Sequence, residues 1–562
     1  MKRKGNGLSL AAVIILSAAM ALLPACGSRS GGETGSKIAG SEPAGSLSGS
    51  VLPGSGAGSA NSSGAAATES GNSSSDQKLL VTLIPHNQER GEDNSAVDDW
   101  FNVKVYSETY HTIRIDTNGF DSLKNAVKNF NDTTAMNADQ VYKNMSGGDY
   151  GVYYDEDIDV LRADAKVLSF IDNVNQYGGA TDESTSTFRN FDSQTGESVT
   201  LDEVVSDTGR LPSLLMDAIP DGTDVESLTE SSIASDIANG SLNWGIGYDG
   251  LHVLLADQRT ASDTSVDDGT AQAGTESMTD AEMMAAAAAQ TSTWTNLIEV
   301  TLRFADYPEL FADTYQSLPS SYGMTMEQNK PYTLTFASDG NAHIVQVKTD
   351  LSDDGYSVGN VTISIDGNES SIDLSGEYYY QVHPYYLHTD DGRDFIYLNE
   401  NGEDDFSSVR AVRLENGAAA DLGDFTDSLS GRYLENPENF RTTCRVDLFG
   451  TYSAYRYCRV GDDGKPAAID SLYDCQGNQR ILRAKSDVQV QVLDTPGGSV
   501  TGDGTVSAGT YLYFQRTDGS SFVDFMTSEG QAVRIKTDTK DTPHTTNGTD
   551  ESELFDGLMY AG

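Results

Sequence analysis

Between Tyr332 and Gly464 the chain changes to a period of two, punctuated by Asp339-Gly340, Asp354-Gly355, Asp366-Gly367, Asp391-Gly392, Asn401-Gly402, Asn416-Gly417 and Asp463-Gly464. An Asp-Gly or Asn-Gly pair accepts the left-handed backbone of a tight hairpin at little steric cost, so each one between apolar runs marks a chain reversal. Runs of strand character, such as 344–347, 361–365 and 395–398, lie between them. Turns this close together leave little room for helices. They predict an all-β antiparallel domain over 330–478, either a meander or sandwich or a set of propeller blades.

Two flanking stretches differ. Five short β runs, 488–492, 498–501, 511–516, 521–526 and 531–535, suit a small SH3-like β-barrel within 479–562, and the apolar end from Leu554 to Tyr560 is expected to dock on a core. Upstream, helical and strand periods alternate. Leu123, Val127 and Phe130 at i, i+4, i+7 predict a helix over 120–145 entered at Asp121. Strand pairs are expected over 158–174 around a polar turn at 162–166, over 188–201 around Thr195-Gly196, and over 242–255 around Asp249-Gly250. Short helices are expected at 201–205 (entered at Asp202), 211–219, 228–237 and 306–318, and a strand through Ile298, Val300 and Leu302. With a low-complexity insertion at 257–292, the stretch 79–325 is expected to be α+β.

The first residues are of another kind. Lys2, Arg3 and Lys4 precede a nearly uncharged apolar run at 8–23 and then Cys26, the anatomy of a secretory signal over 1–25. The run is short for a bilayer span, which needs about 20 residues. Leu23-Pro24-Ala25-Cys26 resembles the lipobox of bacterial lipoproteins, in which the cysteine is diacylated. That resemblance implies lipidation at Cys26 and an anchor on the outer face of the cytoplasmic membrane. Residues 26–76 then form a stalk. From 27 to 76, 34 residues are Gly, Ser or Ala and none is aromatic, too little apolar surface to fold.

Charge narrows the partners. The formal net charge is −49, from 36 Lys and Arg against 85 Asp and Glu, and loss of Lys2, Arg3 and Lys4 with the leader makes it −52. Such a polyanion is repelled by nucleic acid and by anionic lipid, and it attracts basic peptides, basic proteins and metal ions. Solubility at a crowded surface accounts for the charge as well. Cys444, Cys458 and Cys475 leave three arrangements open: a 444–458 bridge, a 458–475 bridge, or three buried thiols.

Leu161-Arg162-Ala163-Asp164 leading to Val167-Leu168-Ser169-Phe170, then Tyr177-Gly178-Gly179-Ala180, resembles the extracellular part of RsiV-type anti-sigma factors, a part also appended to PdaC-type polysaccharide deacetylases. The run from Phe191-Asp192 to Val204-Val205 resembles its next motif, and 298–315 its closing strand and helix. The resemblance spans roughly 79–324 and implies an α+β fold of two small subdomains. In RsiV-type proteins this region binds lysozyme. Tyr177, Gly178, Gly179 and Ala180 are carried over as motif residues without an assigned role. Thr181 stands where the family has His, and the insertion at 257–292 replaces a segment bearing aromatics and proline.

Catalytic signatures are missing: no G-x-S-x-G elbow, no H-E-x-x-H helix, and an S-x-x-K match only at Ser75–Lys78 beside the stalk. His383 and His388 lack a third ligand at fixed spacing. Asp390, Asp391 and Asp394, and Asn399, Asn401, Asp404 and Asp405, lack the twelve-residue calcium loop. Tyr378, Tyr379, Tyr380, Tyr385 and Tyr386 crowd one span, but alternate residues of a strand face opposite ways, so about half are expected in a core. No catalytic residue, cofactor or metal is therefore assigned. The expected function is a non-enzymatic, membrane-anchored surface lipoprotein of the cell envelope. It would bind or sense wall glycan or a basic secreted protein such as lysozyme, and not nucleic acid. The alternative is an enzyme or accessory subunit in peptidoglycan modification.

Overall fold

Strand geometry wins almost everywhere: among the described residues 52% are strand and 15% helix, in several sheets with no closed barrel. The computed structural model describes residues 78–91, 105–144, 152–177, 182–262, 291–353, 355–374, 379–402, 407–425, 427–434, 436–475, 481–540 and 542–560. This overturns the α+β expectation for 79–325. Its strands are long and polar, so their alternation is weak in the sequence, whereas most of its helices are single short turns.

Strands β1 (Val81–Gly91), β2 (Val105–Ile115), β3 (Tyr153–Ala163), β4 (Val167–Tyr177) and β5 (Asp182–Asp192) form a sheet in chain order. Only β2 and β3 pair in parallel, and the crossover this demands is helix α1 (Asp121–Asn144). Leu123 and Val127 pack on Leu83, Ile113, Ile158, Val160 and Phe170. Asp121 lies in the first turn of the helix, following Phe120 at φ +56°.

A second sheet joins β6 (Asn243–Ile246), β7 (Gly250–Ser262) and β8 (Thr291–Arg303), with the expected reversal at Asp249-Gly250. Helices α2 (Leu201–Val204), α3 (Leu211–Asp217) and α4 (Glu230–Asn239) cover it through Val204, Leu211, Leu215 and Ile233. Thr200, with Glu203, caps α2 in place of Asp202; Thr229 caps α4. The expected hairpin at 188–201 shrinks to one bridge, Phe191 to Ser198, because β5 pairs with β4 along its whole length. The expected helix at 306–318 is two isolated turns, Pro308–Leu310 and Asp313–Gln316. Within 257–292, β7 continues to Ser262 and β8 begins at Thr291; the rest lies outside the described residues.

Next come β9 (Tyr322–Thr325), β10 (Pro331–Thr335), β11 (Ala342–Leu351), β12 (Val358–Ile365), β13 (Asn368–Asp373), β14 (Tyr379–His388), β15 (Asp394–Gly402), β16 (Ser407–Glu415) and β17 (Ala418–Phe425). β10 to β13 make a four-stranded meander, and a second sheet runs β17-β16-β15-β14-β9. Asn416-Gly417 turns β16 into β17 with φ +53° and +71°, the left-handed pair its sequence favours. Val345, Val347, Ile363 and Ile365 of the meander meet Tyr386, Ile396, Leu398 and Val412 of the second sheet. The reverse face of that sheet presents Tyr385, Leu387, Phe395 and Tyr397 to Leu429, Leu434, Phe440 and Cys458. It is therefore buried on both sides.

The last sheet has 12 strands. The expected C-terminal runs appear as β24 (Val488–Leu493), β25 (Val500–Val506), β26 (Tyr511–Thr517), β27 (Phe522–Thr527) and β28 (Ala532–Lys536), after the shorter or earlier strands β18 (Ser428–Leu429), β19 (Phe440–Asp447), β20 (Thr451–Val460), β21 (Pro466–Ala468), β22 (Tyr473–Asp474) and β23 (Ile481–Ala484). The SH3-like barrel is not there: β26 spends its free edge on β22 and β23, so these strands prolong the sheet of β19 and β20 and never close on β25. Leu554 and Phe555 are buried, while Tyr560 stays half-exposed. Cys444, Cys458 and Cys475 are free thiols. Among the described residues no helix is long and apolar enough to cross a membrane.

Candidate functional site

Strand β3 reads Tyr153-Tyr154-Asp155-Glu156-Asp157-Ile158-Asp159-Val160. Alternation turns Tyr154, Glu156, Ile158 and Val160 towards α1 and leaves Tyr153, Asp155, Asp157 and Asp159 on the other face. Register adds Tyr177, Asn175 and Asn173 from β4, opposite Tyr153, Asp155 and Asp157, with Ser184 and Ser186 beyond on β5. The Tyr153 and Tyr177 rings stack with centroids 6.0 Å apart. Ser184 Oγ donates to Asn175 Oδ1 at 2.6 Å, and Ser186 Oγ donates to Asn173 Oδ1 at 2.7 Å.

One end of this face is closed. The Arg432 amide donates to Asp159 Oδ1 at 2.9 Å, and Arg441 Nη2 donates to the Ile158 carbonyl at 3.4 Å. Gly431 permits the approach with φ +89°; a Cβ there would stand 2.8 Å from Asp159 Oδ1. Towards Tyr153 the face opens: Asp157 is exposed and Asp155 half-buried. Burial, and then the charge of Asp157, pushes the Asp155 carboxyl up to about 6. Burial and the same charge push Asp159 up to about 6, against the pull of the Arg432 amide and of the Arg441 and Arg432 guanidiniums. His111 Nδ1 lies 3.5 Å from Asp157 Oδ1, and burial holds its ring below the usual histidine range. Burial is the larger cause at Asp155 and at Asp159, and Asp157 itself lies 3.9 Å from the Arg441 guanidinium.

The Arg162 motif does something else. The expected polar turn is buried, with Arg162 0% exposed. Its guanidinium donates to Asp164 Oδ2 at 2.8 Å and to the carbonyls of Gly247 (3.1 Å), Tyr315 (2.7 Å) and Ser317 (3.3 Å), and it stacks over Tyr248. These contacts knit β3 to the loops after β6 and β8. That is a structural clamp.

Sequence spacing missed a third constellation. His252 Nε2 lies 2.9 Å from Asp249 Oδ1 and its Nδ1 3.4 Å from Glu299 Oε1, which also accepts the Tyr433 hydroxyl at 2.8 Å; Arg432 ion-pairs with Glu299. Its members come from three distant segments, so no motif could have flagged it. His252 is 6% exposed, and the cluster joins β7 and β8 to the 430–434 segment. It has no exposed nucleophile.

Of the residues singled out from sequence, Tyr177 joins the β3 face. Gly178, Gly179, Ala180, Thr181 and Cys26 lie outside the described residues. His383 and His388 are not brought together: His388 Nδ1 bonds Asp394 Oδ1 at 2.8 Å, and His383 lies by Gln381. Tyr385 and Tyr386 are buried on opposite faces of one strand, which leaves no tyrosine platform there. Asp391 bonds Thr389 and Arg393, and Asn399 accepts the Leu429 amide. Among the described residues no three His, Cys, Asp or Glu side chains are placed to hold a metal ion.

No family model and no curated protein matches the chain. Among solved structures, it is similar to a member of the DUF3298 family from Bacteroides fragilis, with 13% identity over 42% of this chain and 96% of that one and a TM-score of 0.24. It is also similar to a DUF3298 family protein from Pseudomonas aeruginosa, with 10% identity over 43% and 97% and a TM-score of 0.25. Likeness this distant says nothing of ligand or activity.

Proposed function

We propose that this chain is a non-enzymatic surface lipoprotein of the cell envelope, anchored through Cys26, that binds a cationic wall-active protein on the open face of β3, β4 and β5. The observation that supports this is the half-buried Asp155, pushed up to about 6 by burial and by the charge of Asp157, beside an exposed Asp157 whose ion pair with Arg441 is a loose 3.9 Å. A docking ammonium or guanidinium supplies the counter-charge that the fold withholds. Asp155 and Asp157 stand two residues apart on a strand, about 7 Å, so they suit basic side chains at alternate positions of an extended segment. The stacked Tyr153 and Tyr177 offer a cation a further seat at the open end.

Lysozyme is the first partner to test. Titration calorimetry of the full chain at physiological salt, where the Debye length is about 8 Å, is expected to show saturable one-site binding. Catalytically inert lysozyme should bind equally and equally basic cytochrome c more weakly. No saturable binding, or equal binding of both basic proteins, ends the proposal. The anchor has its own test: Cys26→Ala is expected to release the protein into the medium, and retention of the variant in the detergent phase refutes it.

A further inference from the structure

One cation stands beside the acidic face with its charge turned away. The Arg432 peptide is pinned there: its amide donates to Asp159 Oδ1 at 2.9 Å, and its carbonyl accepts from Thr325 Oγ1 at 3.2 Å and from the Tyr385 hydroxyl at 3.4 Å. The guanidinium leaves in another direction. It ion-pairs with Glu299 of β8 and lies over the Tyr433 ring, 5.6 Å from the centroid. Its side chain is 51% exposed, so packing alone does not set that direction.

Glu299 has the means to set it. Its side chain is 17% exposed and pairs with Arg432 through Oε2. Its other oxygen, Oε1, accepts the Tyr433 hydroxyl at 2.8 Å and lies 3.4 Å from His252 Nδ1. His252 is steadied in turn by Asp249, 2.9 Å from Nε2. A carboxylate tied down through one oxygen presents the other in a fixed place, and a charge-assisted bond to a guanidinium is the strongest use of it.

We propose that Glu299 is a positioning residue for the acidic face, holding the Arg432 guanidinium off Asp157 and Asp159 and so keeping the face open to a cation from outside, a role that rests on the binding proposed for that face. Once the Glu299 charge is gone, two carboxylates remain beside the pinned peptide. Asp159 already accepts its amide, and Asp157 stands two strand positions on, about 7 Å away. Both are within the span of an arginine side chain. Arg441 leaves room for a second guanidinium, since its Nη2 reaches Asp157 only at 3.9 Å and also donates to the Ile158 carbonyl at 3.4 Å. A guanidinium of the chain itself competes with an incoming one at an advantage, because it gives up no translational freedom on arrival.

Glu299→Gln keeps the shape of the side chain and an acceptor for Tyr433 while removing the charge. A crystal structure of the full chain carrying it is expected to show the Arg432 guanidinium turned onto Asp157 and Asp159. A guanidinium still seated at residue 299 overturns the proposal, whether or not any ligand binds. Glu299→Ala serves, with the same two outcomes, should the first variant fold poorly. Titration calorimetry with lysozyme reads the consequence: Glu299→Gln should weaken binding about tenfold, and adding Arg432→Gln should restore the wild-type affinity. A merely structural role for Glu299 predicts an equal loss in the single and double variants, and that result also overturns the proposal. Wild-type chain that binds no lysozyme ends the reading of the face instead, and the direction of Arg432 in the crystal then decides the role of Glu299.

Discussion

Arg162 and Glu156 belong to the same strand and are both almost out of solvent, yet they are satisfied in opposite ways. Arg162 has an anion in Asp164 and a carbonyl for each remaining donor direction, so its burial is balanced inside the fold. Glu156 accepts from the neutral hydroxyls of Thr134 and Tyr154, and Asp155 on the outer side of the strand is pushed up by burial and by the charge of Asp157. Balanced charge fixes a fold; unbalanced charge leaves a demand that a proton or a ligand can meet. The motif that stood out in the sequence thus marks the clamp, and the polar run just before it marks the candidate site.

That contrast is breakable. Arg162→Met should have the largest effect: it strands Asp164 and takes the guanidinium donors from the Gly247 and Tyr315 carbonyls, costing about 3–5 kcal/mol in chemical denaturation. A loss under about 1 kcal/mol would mean that the clamp is relaxed and the contrast false. Next, Asp155→Asn with Asp157→Asn should weaken a cationic partner about tenfold, or about 1.4 kcal/mol, without loss of stability. Unchanged affinity moves the site off this face while leaving envelope binding itself standing.

A smaller effect tests the repulsion alone. Asp155 has a folded-state carboxyl at about 6, above its unfolded value, so its charge opposes folding at neutral pH, and that penalty vanishes as pH falls below the unfolded value. Asp155→Asn should therefore stabilise the protein by no more than about 1 kcal/mol at pH 7, after allowance for solvent screening, and by nothing near pH 3.5. A variant less stable than wild type at pH 7 would show the carboxylate to be balanced after all. The smallest effect is nil: a reductant should leave the unfolding midpoint where it is, since Cys444, Cys458 and Cys475 form no bridge. A downward shift would reveal one.

Much of the strand pattern was legible, and the reasons for the failures are local. Asn416-Gly417 and Asp249-Gly250 encode their turns in backbone preference alone, so the sequence suffices. The barrel over 479–562 failed because five strand runs say nothing about which edge each will use, and β26 found β22 and β23 from outside the segment. The α+β expectation failed because β1, β2 and β5 carry polar residues on their open faces and lose the alternation that identifies a strand. On the site, period two already put Asp155, Asp157 and Asp159 in one row. What it could not show was Arg432 and Arg441, more than 250 positions on, closing one end of that row. The His252 constellation had no local signal of any kind.

Strand β9, Tyr322–Thr325, has a consequence for portability. It closes the stretch that resembles an extracellular module, yet it pairs with Tyr385, Tyr386, Leu387 and His388 of β14. Gly323 packs against Leu434 so closely that a Cβ would stand 2.6 Å from Leu434 Cδ2. A gene fragment ending at residue 325 would export an edge strand without its sheet, and one beginning at 330 would inherit a sheet with a bare edge, open to pairing with any passing strand. Shuffled to a new protein, either half should travel poorly alone, and an intact β9 decides which half stays soluble.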